Sequence, residues 1–505
     1  MDDIGEIVRS DTVKTTNGPV RGYRDGVLSI FKGLRYAAPP LRDLRFRPPE
    51  PLAPWREPAE ATTLGAPAIQ VSVPPGETTG GRSAGDPPAP GQPGTSEDCL
   101  FLNVWTPGLT GQRPVMVWLH GGGVGNGSGG AAMFDGAALA RRGDVVTVTV
   151  NHRLNVFGYL NLADFGGHPS SGVAGMLDII AALRWVRDNI SAFGGDPANV
   201  TVFGESGGGW KVSLLMAMPG AAGLFHKGII QSGPGLRGLP PKRAKELAKA
   251  VLDKLGVADA AGLQDIPATD IQAAANTAAG AELLRGFTPS IDGIELPRHP
   301  FEPDAAPLGA PIPVMIGTNK DEATLFMFGA PSFGQMTEAD VTRRAEAAAP
   351  GKADALVAAV RKRFPDYSPS HQVSAIQTLT TMWLDSVRLA ERKAAQKAAP
   401  VFMYRLDWET PVARGLLRSP HALEIPLVFD NVEAARNFVG RGEAPQQMAE
   451  LMAPAWIAFA RGGDPATAAL PAWPAYDAEH RATMVFDLEP RVENDPLSEI
   501  RTLLS

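Results

Sequence analysis

A chain of 505 residues with 44% hydrophobic and 20% charged side chains is long enough for a large core and has an ordinary globular balance. Lys and Arg total 47 against 54 Asp and Glu, a net charge of −7, so there is no basic surplus with which to bind nucleic acid. No apolar run reaches the roughly 18 residues of a membrane span, and the single cysteine, Cys99, excludes an intrachain disulfide.

The first 22 residues are polar and acidic, without the basic and then apolar regions of a secretory leader. The expectation is a cytoplasmic protein, or a secreted or periplasmic one if a leader has been removed. Residues 72–97 are rich in Pro and Gly and carry no aromatic side chain, which predicts a long surface loop. Near-continuous apolar runs then recur. Pro114–Leu119, Val145–Val150, Asn199–Phe203, Gly228–Gln231, Pro313–Ile316 and Val401–Tyr404 read as buried strands. Between the second and third of these, Met176–Asn189 repeats apolar residues at helical spacing. Ala-, Lys- and Glu-rich stretches at about 240–285 and 335–398 read as helical insertions. This alternation predicts an α/β fold, a mostly parallel sheet covered by helices on both faces, built as one domain over residues 1–505.

The predicted strand Val200–Phe203 runs into Gly204-Glu205-Ser206-Gly207-Gly208, a match to the turn that presents a nucleophilic serine between a strand and a helix. Such a turn strains the serine backbone and aims helix N–H groups at the reacting oxygen. A phosphate-binding loop is the competing reading. It fails on register, because Trp210 intervenes before Lys211 and Val212 follows.

The strand ending at Leu119 leads into His120-Gly121-Gly122-Gly123, where backbone N–H groups can converge on one oxygen, joined by that of Gly207. Gly125–Gly130 also fits the dinucleotide fingerprint G-x-G-x-x-G. That fold places an acidic residue at the end of the next strand, and here the strand ends in Asn151-His152-Arg153.

In a fold of this kind the acid and then the base follow the nucleophile. Asp321 and Glu322 both follow the strand at 313–316, and the residues alone do not choose between them. Three histidines lie farther on: His371 and His480 in polar stretches that read as surface, and His421 in a loop after the strand at Tyr404. His421 is the candidate base.

At this point the sequence resembles the type B carboxylesterases of the α/β-hydrolase superfamily, the group of the cholinesterases and bacterial para-nitrobenzyl esterase. Phe31–Pro39, Ser96–Asn103, Asn151–Leu160, Phe193–Gly208, Asn319–Glu322, His421–Phe429 and Leu470–Asp487 carry the resemblance. It implies helical insertions around an active-site gorge, Ser206 as nucleophile, Glu322 as acid and His421 as base. It further implies Gly122, Gly123 and Gly207 as the oxyanion hole, and Glu205, Ser232 and Glu424 as supporting residues. Arg45 with Glu97 and Arg153 with Asp178 match structural ion pairs of the family. The chain departs from the pattern where Ala68 replaces a cysteine that often bridges to position 99. Val124 and Leu325 stand at positions that are often aromatic, and Trp210 and Lys211 replace small residues. Trp210 is expected to face the core and Lys211 to form a structural ion pair.

The expected activity is hydrolysis of carboxylic esters through an acyl-enzyme, without cofactor or metal, on small-molecule substrates. Neutral esters, bulky or aromatic ones included, are expected, since no aromatic cage for a cation is legible. A non-catalytic binding protein on the same fold is the alternative, and the complete set of candidate residues argues against it. No oligomeric state is legible.

Overall fold

Val- and Ile-rich segments bury both faces when they form strands inside a parallel sheet, and that is how these runs are used in the computed structural model. It describes residues 9–70, 78–79, 82–83, 93–280 and 286–504. Most of the Pro/Gly-rich stretch 72–97 and residues 281–285 of the first insertion lie outside the described residues. The backbone divides into two compact units, the first within 1–72, 87–228 and 235–309, the second within 73–86, 229–234 and 310–505.

In the first unit β1 (Arg9–Lys14), β2 (Pro19–Asp25), β3 (Leu28–Arg35), β4 (Phe101–Thr106), β5 (Arg113–Leu119), β6 (Val146–Val150) and β7 (Gly195–Glu205) form one sheet. Their order is β1-β2-β3-β4-β6-β5-β7. The first four pairings are antiparallel and the last two parallel. Helix α1 (Ala174–Asn189) matches the predicted helix and turns only a few charged residues to solvent. Helix α2 (Gly207–Leu215) follows β7 directly and packs on it. The core is ring-rich: Trp118 lies 4.9 Å from Phe203, and Phe31 meets Phe193 edge-on at 4.9 Å. The first insertion forms α3 (Pro241–Leu255) and α4 (Ala268–Ala279), packed on each other.

In the second unit the end of β8 (Lys227–Gln231) precedes β9 (Val314–Asn319), β10 (Val401–Leu406), β11 (Ala482–Phe486) and β12 (Arg491–Asn494) in sheet order. The pairs β9–β10 and β10–β11 are parallel, and β12 closes antiparallel. The second insertion forms α5 (Glu338–Ala348), α6 (Ala353–Arg363), α7 (Pro369–Thr378) and α8 (Leu384–Ala395). Short α9 (Glu424–Val428) packs against long α10 (Ala444–Gly462), whose Trp456 meets Tyr404 at 5.0 Å. Among the described residues no helix is long and apolar enough to cross a membrane.

Both expected ion pairs are present within the first unit. Arg45 binds Glu97 through two bonds of 2.7 Å, and Arg153 binds Asp178 at 2.8 and 2.6 Å with both side chains buried. Arg45 also donates to the carbonyls of Leu263, Gln264 and Ile266, tying the stretch after α3 to the N-terminal part of the unit. Removing one partner of a buried pair leaves an uncompensated charge, so such pairs hold these segments in register.

Candidate active site

The candidate residues fall into two groups, one in each unit. In the first, β7 ends at Glu205 and α2 begins at Gly207, so Ser206 alone makes the turn. Its φ of 55° and ψ of −120° lie outside the regions open to an ordinary serine, a strain of about 1–3 kcal/mol that the surrounding packing must hold. That packing requires glycine. A Cβ on Gly208 would fall 1.9 Å from the Leu119 carbonyl oxygen, and one on Gly207 would fall 1.8 Å from that of Gly123. The start of α2 is thereby pressed against the His120–Gly123 segment.

That segment turns through Gly122 and Gly123, both in left-handed backbone with φ of 85° and 62°. Its carbonyls are tied down one after another. The His120 carbonyl accepts from Nζ of Lys211 at 3.2 Å. The Gly121 carbonyl accepts from the His120 ring Nδ1 at 2.9 Å, and the Gly122 carbonyl accepts from the Asn126 N–H at 3.1 Å. Glu205 is fully buried, its carboxylate so close to Gly121 that a Cβ there would lie 2.6 Å from Oε2.

The second group lies where β9 ends. His421 Nδ1 is 2.6 Å from Glu322 Oε2, and both side chains are fully buried. A carboxylate only accepts, so Nδ1 carries the proton and Nε2 is left with its lone pair. The Asn319 N–H donates to Glu322 Oε1 at 2.7 Å, and the His421 N–H donates to the Glu322 carbonyl at 3.3 Å. Asp321 faces elsewhere: it accepts from the Tyr367 hydroxyl at 2.5 Å and the Ser419 N–H at 3.3 Å. Burial raises its carboxyl to about 6, partly opposed by Lys320 and the Tyr367 hydroxyl. The geometry within this unit therefore pairs the imidazole with Glu322, not Asp321.

Glu424 accepts from Gln231 Nε2 at 3.1 Å and from Asn319 Nδ2 at 2.6 Å, and Gln231 in turn accepts from Trp456 Nε1. Asn319 also donates to the Pro420 carbonyl, so one side chain ties the end of β9 to the loop that carries His421. Ser232 is buried with φ of 50°, its N–H bound to the Gly317 carbonyl. Gln231, Asn319 and Tyr367 were not nominated from the sequence. Asn319 alone had a signal there, its place in the Asn319–Glu322 motif.

Two expectations are corrected. His371 is buried rather than at the surface: its Nε2 donates to the Leu416 carbonyl at 2.9 Å while Nδ1 faces the Ser368 hydroxyl. Trp210 is half-buried rather than in the core, because its Nε1 reaches the Arg237 carbonyl. Lys211 is fully buried, its Nζ donating to the His120 carbonyl, with Glu205 as the nearby opposite charge. Phe326, which no sequence argument singled out, is exposed and lies 5.0 Å from the His421 ring. His480 is at the surface as expected, paired with Asp477. Val124 and Leu325 are buried.

The model of the Carboxylesterase family matches residues 9–501. The para-nitrobenzyl esterase of Bacillus subtilis (strain 168) is 36% identical, covering 97% of this chain and 98% of its own. The carboxylesterase of Geobacillus stearothermophilus superposes with a TM-score of 0.84 at 38% identity, covering 98% of this chain and all of that one. An esterase from Clostridium hathewayi described as hydrolysing aliphatic aromatic polyesters superposes with a TM-score of 0.81 at 33% identity, covering 98% of each chain. The chain therefore belongs to the carboxylesterase family, with the α/β-hydrolase fold of the type B carboxylesterases, and is a carboxylic ester hydrolase.

Proposed function

We propose that Ser206, His421 and Glu322 act as one triad, that the N–H groups of Gly122, Gly123 and Gly207 form the oxyanion hole, and that the two compact units work as a single catalytic domain over residues 1–505. The observation that supports this most is the buried 2.6 Å contact between His421 Nδ1 and Glu322 Oε2. It favours the tautomer in which Nε2 is unprotonated and can accept a proton.

In this reading Ser206 Oγ attacks the ester carbonyl carbon while its proton passes to His421 Nε2. The carbonyl oxygen becomes an oxyanion, to which each preorganised N–H contributes on the order of 3 kcal/mol. Glu322 stabilises the imidazolium as it forms. The tetrahedral intermediate collapses, the C–O bond breaks, and the alkoxide leaves with the proton from His421. Water, deprotonated by the same imidazole, then attacks the acyl-enzyme and releases the acid and free Ser206. Backbone N–H groups and three side chains supply the whole sequence.

The substrates in this reading are neutral esters, bulky or aromatic ones included. Two features support it: Val124 and Leu325 in place of rings, and the exposed ring of Phe326 beside the base. The activity described for the Clostridium relative accords with it. The test is turnover of a neutral aryl ester by Ser206→Ala and His421→Ala, each expected to lose nearly all activity with the fold intact. Undiminished turnover by either variant would refute the triad.

A further inference from the structure

Lys211 is one of the largest fully buried side chains in the protein, on the helix that starts at the nucleophile. Burying an ammonium is costly, and a methionine would fill the same length without that cost. The residues around Lys211 give it a reason. Its Nζ donates to the His120 carbonyl at 3.2 Å. The fully buried Glu205, which also lies against Gly121, is its nearby counter-charge, and the His152 ring, packed on that of His120, feels its positive charge. Desolvation still outweighs Glu205 and pulls the ammonium down to about 7.

A peptide group is planar, so fixing a carbonyl also fixes the N–H of the next residue. The Gly121 carbonyl, held by the His120 ring, orients the N–H of Gly122. The Gly122 carbonyl, held by Asn126, orients the N–H of Gly123. The series begins one peptide earlier, at the His120 carbonyl, which accepts from Lys211 Nζ. We propose that Lys211 is a positioning residue for the oxyanion loop: by holding the His120 carbonyl from the nucleophile helix, it sets the peptides of Gly121–Gly123 relative to Ser206. This rests on the reading of Gly122, Gly123 and Gly207 as oxyanion donors.

The experiment compares wild type with Lys211→Met and Lys211→Gln. The readouts are kcat and KM on a neutral aryl ester and inhibition by a trifluoromethyl ketone and its methyl ketone counterpart. Only the trifluoromethyl ketone adds Ser206 to form a stable oxyanion. Lys211→Met is expected to lower kcat by about 10- to 100-fold, the scale of one weakened oxyanion donor. It should weaken the trifluoromethyl ketone by a similar factor and leave KM and the methyl ketone within about twofold. Lys211→Gln, which keeps a donor on a shorter side chain, should fall between. If both variants fold and match wild type in kcat and in the trifluoromethyl ketone, the positioning role is wrong. Loss of the fold in both would also overturn it, since the ammonium would then serve the core and not the loop. If wild type itself does not bind the trifluoromethyl ketone more tightly than the methyl ketone, the oxyanion-hole reading has failed instead.

Discussion

Asn319 holds the carboxylates of two glutamates at once: its backbone N–H donates to Glu322 Oε1 at 2.7 Å and its side-chain amide to Glu424 Oε2 at 2.6 Å. The same amide reaches the Pro420 carbonyl, one residue before His421. Glu322, the loop of His421 and Glu424 are thus tied to the end of one buried strand.

The first prediction follows from that geometry. Asn319→Ala removes both side-chain bonds but keeps the N–H to Glu322. Two buried acceptors each lose one donor, while the Pro420 carbonyl keeps the Leu423 N–H and Glu424 keeps Gln231, so stability should fall by about 1–3 kcal/mol. The measurement is urea unfolding, and a loss under about 1 kcal/mol would show that the amide braces nothing.

Glu322→Gln should lower kcat by about 10³- to 10⁴-fold, since the amide can neither fix the productive tautomer nor stabilise the imidazolium. Asp321→Asn should be far milder, because Asp321 binds Tyr367 and Ser419 and not His421. Steady-state kinetics on one ester ranks the two, and the reverse order would move the acid to Asp321.

Asp321 also predicts a pH dependence of stability. Its carboxyl sits at about 6 in the fold, above its ordinary 3.8, because burial disfavours the charge. The unfolded chain therefore releases this proton more readily than the folded one. The stabilisation from the protonated group is complete below about pH 4 and is lost as pH rises through about 6, a change on the order of 3 kcal/mol. Asp321→Asn carries no such proton. Its stability relative to wild type should improve between pH 4 and pH 7, whatever constant cost the lost Ser419 bond adds. Denaturant midpoints at both pH values check this, and a constant difference would contradict it.

The site was legible in the sequence where its geometry is local. The turn at Ser206 needs glycine at 207 and 208 because two carbonyls press against it, and that demand is written in five adjacent residues. The strand segments were legible for the same reason, as unbroken apolar runs. Contacts made across long stretches of chain were legible only where the family resemblance named them, as with Arg45 and Glu97. Gln231, Glu424 and Trp456 meet only in the folded chain, and an isolated Gln carries no signal. His371 stands in a polar stretch, Ser368-Pro-Ser-His371, that reads as exposed. Ser368 caps α7, and the imidazole satisfies itself on the Leu416 carbonyl, against Phe333 and Tyr367. Trp210 carried the opposite error, an aromatic assigned to the core whose N–H instead seeks a carbonyl.

Substrate charge gives a fourth prediction. A cage for a quaternary ammonium is worth about 2 kcal/mol when desolvated, or roughly 30-fold. Val124 and Leu325 offer no ring faces, and Phe326 is a single ring turned toward His421. Butyrylcholine should have a lower kcat/KM than its uncharged isostere 3,3-dimethylbutyl butyrate. A clear preference for the charged ester would reveal a cation site. Phe326→Ala should raise KM for aromatic esters more than for aliphatic ones.

The central claim is that Ser206 carries the acyl group. The most direct measurement is treatment of the native enzyme with a fluorophosphonate, followed by mass spectrometry of its peptides and assay of the residual esterase activity. The account predicts one adduct per chain, on Ser206, forming in step with complete loss of activity, and no adduct on Ser206→Ala. Label on another serine, or full activity with Ser206 modified, would contradict it.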